Sequence, residues 1–109
     1  MSEDILQAAL FKWYHNTFCT KLNNPKHSIF AVPKGGIRSK AQAAKFKATG
    51  LVAGVSDLII VRENEVIFIE VKIDTGKQSP KQIEFENTVT ALGFRYIIVR
   101  SLEEFKNKI

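Results

Sequence analysis

The sequence predicts an α/β fold in which one central mixed β-sheet is flanked by helices. Three observations favour this class. Two β-branched apolar runs are separated by a polar turn, segments with helical spacing lie before and after them, and a further apolar run follows the longer of the later helices. The elements then follow in the order α, β, α, β, β, α, β, α. A chain of 109 residues has room for one domain, residues 1–109, and not for two.

The elements of the first half follow from caps, breaks and apolar spacing. Ser2 is a candidate N-cap, and the two acids after it favour the positive end of a helix. Pro25 breaks the chain after this helix, and a short strand over residues 28–32 follows. Residues 41–49 form an Ala/Lys-rich helix, which Gly50 ends. One face of the first helix is marked by Ile5, Ala8, Ala9, Lys12, Trp13 and Asn16, and its apolar stripe is broadened by Leu6, Leu10, Phe11 and Tyr14.

The second half begins with a predicted hairpin. Its strands cover residues 58–61 and 66–73, and Glu63 and Asn64 form its tip. The next helix has Ser79 as its cap and Pro80 at its first position, and it ends at Gly93. A strand over 94–99 and a short helix after Ser101 complete the chain. The predicted core positions of these two helices are Ile83, Phe85, Val89, Leu92, Leu102, Phe105 and Ile109.

The predicted hairpin brings two carboxylates and an ammonium together. Its register places Asp57 opposite Glu70, where directly opposed Cβ atoms are about 4.5–5.5 Å apart. Lys72 shares a face with Glu70 because the two are separated by one residue along a strand. A bound divalent cation would explain such a costly cluster, and it could activate water against a phosphodiester. The alternative is a surface hairpin end at which Glu70 and Lys72 simply pair.

The net charge of +5 is divided unevenly along the chain. Residues 1–54 hold eight basic and two acidic side chains, whereas residues 55–109 hold eight and nine. We therefore expect a phosphate backbone to lie across the first half while the chemistry takes place in the second. The alternative is an ordinary solvated basic surface. The residues expected to contact DNA, through a basic glycine-containing loop and the helix after it, are Lys34, Gly35, Gly36, Arg38, Lys40, Lys45 and Lys47.

Composition excludes several classes of protein. No segment approaches the roughly 18 apolar residues of a membrane span, so we expect no membrane partner. The acidic N-terminus lacks the features of a secretory signal, and the single Cys19 cannot form an internal disulfide, which favours a cytoplasmic location. We interpret His15, Cys19 and His27 as ordinary residues, because none has the spacing of a ligand set or a catalytic motif.

An ordered series of motifs resembles the PD-(D/E)xK nuclease superfamily, and more closely its virus-type replication-repair nuclease (VRR-NUC) family. The resemblance runs almost end to end. One departure is Ser56, which stands where the superfamily name expects proline and supplies no ligand. The motifs are an acidic first helix, Gly35-Gly36-x-Arg38, Gly54-x-Ser56-Asp57, Glu70-x-Lys72, Gln82 after Ser79-Pro80, and Gly93-Phe94.

The resemblance implies a restriction-endonuclease-like fold and a role for each site residue. Asp57 and Glu70 would bind Mg²⁺ or Mn²⁺, with the Val71 carbonyl as an additional ligand, and Lys72 would assist hydrolysis. Such sites are also lined by a glutamate of the first helix and a glutamine of a later one. These roles carry over to Glu3 and Gln82, although Asp4 and Gln7 lie within one turn of Glu3.

The leading hypothesis is a metal-dependent DNA endonuclease. Compact members of the family resemble phage-type nucleases that pair into homodimers and cut branched DNA, including four-way junctions, so the resemblance implies a role in viral replication or repair in a bacterial or phage-infected host cytoplasm. One alternative is a restriction-type enzyme that reads a short duplex sequence. Another is a non-catalytic DNA-binding module that keeps the fold.

Overall fold

A four-stranded mixed sheet forms the centre of the computed structural model, which describes residues 1–20, 26–33 and 39–109. The predicted order of elements is confirmed, and a π-helical turn over His15–Thr20, which the sequence did not predict, is added to it. Within the described ranges, no helix has the length and apolar character needed to cross a membrane. The elements are α1 (Glu3–Tyr14), β1 (His27–Ala31), α2 (Lys40–Ala48), β2 (Leu58–Arg62), β3 (Glu65–Val71), α3 (Pro80–Ala91), β4 (Arg95–Val99) and α4 (Leu102–Lys108).

The strands lie in the order β1-β2-β3-β4, and only the β3–β4 pair is parallel. The predicted hairpin register is confirmed by the ladder between β2 and β3, which runs from Arg62 opposite Glu65 to Leu58 opposite Ile69. Asn64 at its tip has a φ of 61°, a conformation that asparagine tolerates in tight turns. The ladder stops one residue short of Asp57, whose N–H donates to the Ile69 carbonyl at 3.0 Å.

Alternate residues of β3 serve the two faces of the sheet. Ile67, Ile69 and Val71 have no exposed surface, and their side chains belong to the core between the sheet, α1 and α4. Residues of the other parity face α3, where the rings of Phe68 and Phe85 lie 5.4 Å apart in an edge-on arrangement. The core residues are Leu6, Leu10, Tyr14, Ile29, Leu58, Ile60, Ile67, Ile69, Val71, Val99 and Phe105.

Two predicted core positions of α3 are wrong, and so is the predicted face of the first helix, of which Ile5, Ala8, Lys12 and Asn16 are exposed. The core positions of α1 recur every four residues from Leu6, so Ile5, one position before them on the helix, is turned away and is 61% exposed. Along α3, Val89 is buried, whereas Ile83 and Leu92 are 44% and 68% exposed. The reason is that α3 packs against β4 and the neighbouring part of β3, so its buried face is narrower than the number of its apolar residues suggests.

Gly54 brings the chain before Asp57 into direct contact with the start of α3. Its φ is +86°, and a β-carbon at this position would lie 2.2 Å from the Lys81 carbonyl oxygen and 2.8 Å from the Gln82 nitrogen. Those two atoms are helix backbone and cannot swing aside. Glycine is therefore required here twice, once by the left-handed conformation and once by the close approach of two backbones.

We expect Gly54→Ala to lower the free energy of unfolding by about 2–4 kcal/mol, because it adds overpacking against fixed backbone to the strain of a left-handed residue. Gly50→Ala is the matched control: its φ is +104°, yet nothing lies within 4 Å of the added carbon. The control should cost only about 1 kcal/mol. Urea denaturation of both variants measures the difference, and equal losses would contradict the close-contact explanation.

Candidate active site

The Asp57 carboxylate is held at the end of β3 by backbone hydrogen bonds. Its Oδ2 atom accepts a hydrogen bond from the Val71 N–H at 2.7 Å, a short, charge-assisted bond. The Asp57 carbonyl accepts from the Val32 N–H at 3.1 Å, so the backbone of this residue is tied to the end of β1 as well as to β3. The preceding Ser56 is fully buried. Asp57 is therefore fixed at the sheet edge where β2 begins and β3 ends.

Glu70 is a buried carboxylate next to that edge. Only 1% of the residue is exposed, and its Oε2 atom lies 3.0 Å from Gln82 Nε2 and 4.0 Å from Lys72 Nζ. The Lys72 side chain is itself only 11% exposed. A carboxylate can be buried when a cation and hydrogen-bond donors compensate the water it loses. The structure thus brings together Glu70, Lys72 and Gln82, as the sequence predicted.

The helix cap of α3 determines the orientation of the Gln82 amide. Ser79 Oγ accepts from the Gln82 N–H at 3.2 Å, and Gln82 Oε1 accepts from the Ser79 N–H at 2.8 Å, which is a complete capping box. Because the amide oxygen faces that N–H, the amide nitrogen is directed at Glu70. The same residue therefore begins the helix and hydrogen-bonds the buried carboxylate.

A phenol on β4 completes the surroundings of the two carboxylates. Burial raises the pKa of the Tyr96 phenol, and the hydrogen bond from Gln78 at 3.2 Å lowers it by less. The negative charges of Glu70, Glu86 and Asp57 raise this pKa further. Tyr96 therefore stays protonated at neutral pH and is no candidate for a base. Sequence analysis did not find this residue, because only the parallel pairing of β4 with β3 brings it near Glu70.

The first helix contributes one wall of a cleft that also borders the end of β1 and the start of β2. This cleft of about 370 Å³ is lined by Asp4, Gln7, Ala8, Phe11, Ala31 and Leu58. Glu3 is an exposed residue of the first turn of α1 and is not among the lining residues, so its role stays a prediction. Asp4 and Gln7, the two neighbours within one turn of Glu3, are among the residues of α1 that line this cleft.

The basic segment expected to contact DNA leaves and rejoins the fold at the same edge. Val32 is hydrogen-bonded to Asp57, and Gly54 lies against α3, so both roots of the intervening chain flank the carboxylates. Three predicted contacts, Lys40, Lys45 and Lys47, are exposed on α2, none of whose residues is buried. The other four, Lys34, Gly35, Gly36 and Arg38, lie outside the described residues.

The donor set fits a hard divalent cation. Asp57 and Glu70 offer carboxylate oxygens, the ligands that Mg²⁺ and Mn²⁺ prefer. No group of three or more His, Cys, Asp or Glu side chains that could hold a metal occurs in the described part of the chain. Two carboxylates nevertheless suffice for an ion that keeps several waters and takes further oxygens from a phosphate substrate. The arrangement can therefore hold such an ion beside a lysine.

Comparisons with known proteins identify the family. A family model described as the VRR-NUC domain matches residues 1–103. A solved structure described as a "VRR_NUC domain protein" superposes with a TM-score of 0.74 at 22% sequence identity, over 95% of this chain and 81% of that one. No curated protein matches the sequence.

The structural likeness bears out the α/β nuclease-like fold with its mixed sheet and flanking helices. The family match covers nearly the whole sequence, from the first helix to the start of the last. The chain therefore belongs to the VRR-NUC family, a family of nuclease-type, DNA-processing proteins.

Proposed function

We propose that this protein is a Mg²⁺- or Mn²⁺-dependent DNA endonuclease that cuts branched DNA such as four-way junctions. The observation that carries the proposal is the buried Glu70 carboxylate, which lies between Lys72 and Gln82 beside the strand end where Asp57 binds the Val71 backbone. Burying these charged groups costs free energy of folding, and the packing of the fold does not require this combination of groups.

Asp57 and Glu70 would hold the ion, together with the carbonyl oxygen of Val71. In an extended strand the N–H and C=O groups of one residue face the same neighbour. Since the Val71 N–H faces Asp57, we expect its carbonyl on that side too. The bound ion would supply Lewis-acid activation of the phosphodiester and of the attacking water.

Lys72 would act on the water or on the phosphate. Its Nζ atom is 4.0 Å from Glu70 Oε2, an ion pair longer than a hydrogen bond, so its N–H groups can be directed at another oxygen. An ammonium there orients the water and stabilises the charge that develops as the new P–O bond forms and the ester P–O bond breaks. Gln82 keeps the Glu70 carboxylate in one orientation.

We expect Asp57→Asn and Lys72→Ala to reduce the cleavage rate roughly 10²- to 10³-fold or more, because each removes a charge at the reacting phosphate. DNA affinity should stay within about threefold, since phosphate contacts elsewhere dominate it. The assay uses labelled four-way, flap, single-stranded and linear duplex DNA with Mg²⁺, Mn²⁺ or EDTA. Asparagine can still accept the Val71 N–H, so the fold is preserved.

Glu84→Gln is the control for charge removal, because the Glu84 side chain is 70% exposed and forms its ion pair with the exposed Lys81. Undiminished cutting by Asp57→Asn, or cutting in EDTA, would sink the mechanism. Cutting of linear duplex at one sequence without regard to branches would favour a restriction-type enzyme. Binding without cutting under every condition would favour a non-catalytic DNA-binding module.

The surface of α2 supports the assignment of DNA as the partner. Ala41, Ala44 and Ala48 recur at the spacing of one helical face and are exposed. Lysines flank this face, with positions 40 and 47 on one side and position 45 on the other, and α2 contains no acidic residue. Short side chains let the helix approach a phosphate backbone closely while the flanking ammonium groups reach its oxygens.

Replacing Lys40, Lys45 and Lys47 together with Gln should weaken binding to every DNA and flatten the plot of log affinity against log salt by up to about 3, since each phosphate contact contributes about 0.9 to the slope. The control replaces Lys12, Lys106 and Lys108, exposed lysines of α1 and α4. Fluorescence anisotropy between low and moderate salt measures both. Equal slopes for the two triple variants would remove α2 from the DNA-binding surface.

A symmetric homodimer fits this activity, because cutting two strands at a junction takes two sites related by a two-fold axis. The face of the sheet that α3 covers is left partly open over β1 and β2, where Phe30 and Val61 are 44% and 42% exposed. Apolar surface of this kind is typical of contact surfaces. We therefore propose that a second copy packs there.

Val61→Glu should convert the dimer to a monomer at micromolar protein, because it buries a carboxylate in the proposed contact. Multi-angle light scattering measures the mass. Leu92→Glu is the control, since Leu92 is 68% exposed at the end of α3. A wild-type protein that is monomeric at the concentration at which it cuts junctions would contradict the dimer.

A further inference from the structure

One loop connects the two elements that hold Glu70. It starts directly after Lys72, at residue 73, and ends at Ser79, the cap of the helix that carries Gln82. Its first half is bound by a single side chain from another element. Arg100 donates from one guanidinium nitrogen to the Asp74 carbonyl at 3.0 Å and to the Gly76 carbonyl at 2.8 Å. Arg100 therefore binds the loop through the residues on both sides of Thr75.

Gly76 of this loop lies beside the side chain of Lys72. A β-carbon added at Gly76 would be 3.7 Å from Lys72 Cδ and 3.1 Å from the Ile73 carbonyl oxygen, so little space separates the loop from the lysine. The Gly76 N–H also donates to that oxygen at 2.9 Å. The loop therefore covers the aliphatic part of the lysine, and the lysine side chain is only 11% exposed. A covered stem leaves the ammonium few alternatives to its position beside Glu70.

Arg100 is well placed to hold this loop because its own backbone is fixed. It follows Val99, whose carbonyl accepts from the Lys72 N–H at 3.0 Å, so it begins one residue from the point where β4 meets Lys72. Its N–H donates to Glu104 Oε1 at 2.6 Å. This hydrogen bond, more than any other group, lowers the pKa of the Glu104 carboxyl, which therefore stays ionised and keeps the junction between β4 and α4 together.

We propose that Arg100 is a positioning residue for Lys72: it fixes the loop over residues 74–76, and the loop confines the lysine ammonium to the site. The inference rests on the proposed function, in which Lys72 acts on the water or the phosphate. A flexible lysine whose loop is released would still reach Glu70, but only for part of the time. The rate of hydrolysis would fall although every residue of the cluster remained.

The chemistry also allows an exposed arginine to bind DNA phosphate, and the two roles give different kinetics. A phosphate contact contributes to affinity and to its salt dependence. A positioning residue changes the rate at saturating DNA and leaves affinity unchanged. Arg95, the first residue of β4, provides a matched control at the other end of the strand that Arg100 follows. It too donates to a backbone carbonyl, that of Lys108, and it pairs with Glu65 at the far end of β4 from the site.

The experiment compares wild type with Arg100→Gln, Arg100→Lys and Arg95→Gln. Single-turnover cleavage of four-way-junction DNA at saturating enzyme with Mg²⁺ gives the rate, and anisotropy without cleavage, in Ca²⁺, gives the affinity. We expect Arg100→Gln to cut about tenfold more slowly, because small misplacements of a reacting group are costly. Its affinity and salt slope should match wild type. Arg100→Lys should recover part of the rate, since an ammonium can donate to both carbonyls, and Arg95→Gln should cut normally.

Two further measurements separate positioning from general damage to the fold. In the Lys72→Ala background, Arg100→Gln should cause no further loss, because its effect passes through the lysine. By NMR on the protein without DNA, the nuclear Overhauser effect between the Lys72 δ-methylene and the Gly76 α-protons should be present in wild type and Arg95→Gln. It should be lost in Arg100→Gln.

Each of the remaining outcomes would contradict a specific part of the proposal. A retained Overhauser effect with an unchanged rate in Arg100→Gln removes the positioning role. A slower rate accompanied by weaker binding and a flatter salt slope makes Arg100 a phosphate contact. If Asp57→Asn cuts as well as wild type, the proposed function fails instead, and the Overhauser effect still decides whether Arg100 holds the loop on Lys72.

Discussion

The burial of the Glu70 carboxylate constrains the residues around the site. Glu70 has almost no contact with solvent, so its charge must be matched by the ammonium of Lys72 and its oxygen by the amide of Gln82. Both partners follow Glu70 along the chain: Lys72 comes directly after β3, and Gln82 lies in the first turn of α3. The loop between them must therefore have a fixed length and a fixed path. The close contact of Gly54 with the backbone of α3 fixes the position of the helix, and the capping box at Ser79 fixes its first turn.

The charge distribution separates the buried cluster around Glu70 from the exposed lysines of α2. The cluster around Glu70 lies inside the fold and is compensated, whereas α2 carries its lysines on a helix with no buried residue. A short helix without a buried face has little intrinsic stability in water. This helix, with its positive charge, is consistent with an element that completes its contacts on an anionic surface. Because both roots of the basic segment flank Asp57, a phosphate backbone bound there would pass close to the carboxylates.

Which features the sequence predicted depended on how far apart along the chain the interacting residues lie. The hairpin register, the neighbouring Glu70 and Lys72, and the cap at Ser79 follow from residues within a few positions of each other, and all were predicted. The solvent-exposed Ile5 and Leu92 were not, because apolar spacing shows which side chains could be buried and not which of them find a partner. Tyr96 and Arg100 reach the site only through the parallel pairing of β3 with β4, which joins residues far apart in the chain and leaves no local signal.

The alternation of side chains along β3 determines what a register error in this strand would change. Ile67, Ile69 and Val71 fill the core, and the residues between and after them supply Phe68, Glu70 and Lys72 to the opposite side. A shift of this strand by a single residue would exchange the two sets, exposing the aliphatic side chains and forcing both charges into the hydrophobic interior. A chain that folded with this strand out of register would therefore lose both its hydrophobic core and the arrangement of its candidate site. Core packing and the placement of Glu70 and Lys72 depend on the same register, so a cell that clears unfolded chains would also clear chains in which this strand is shifted.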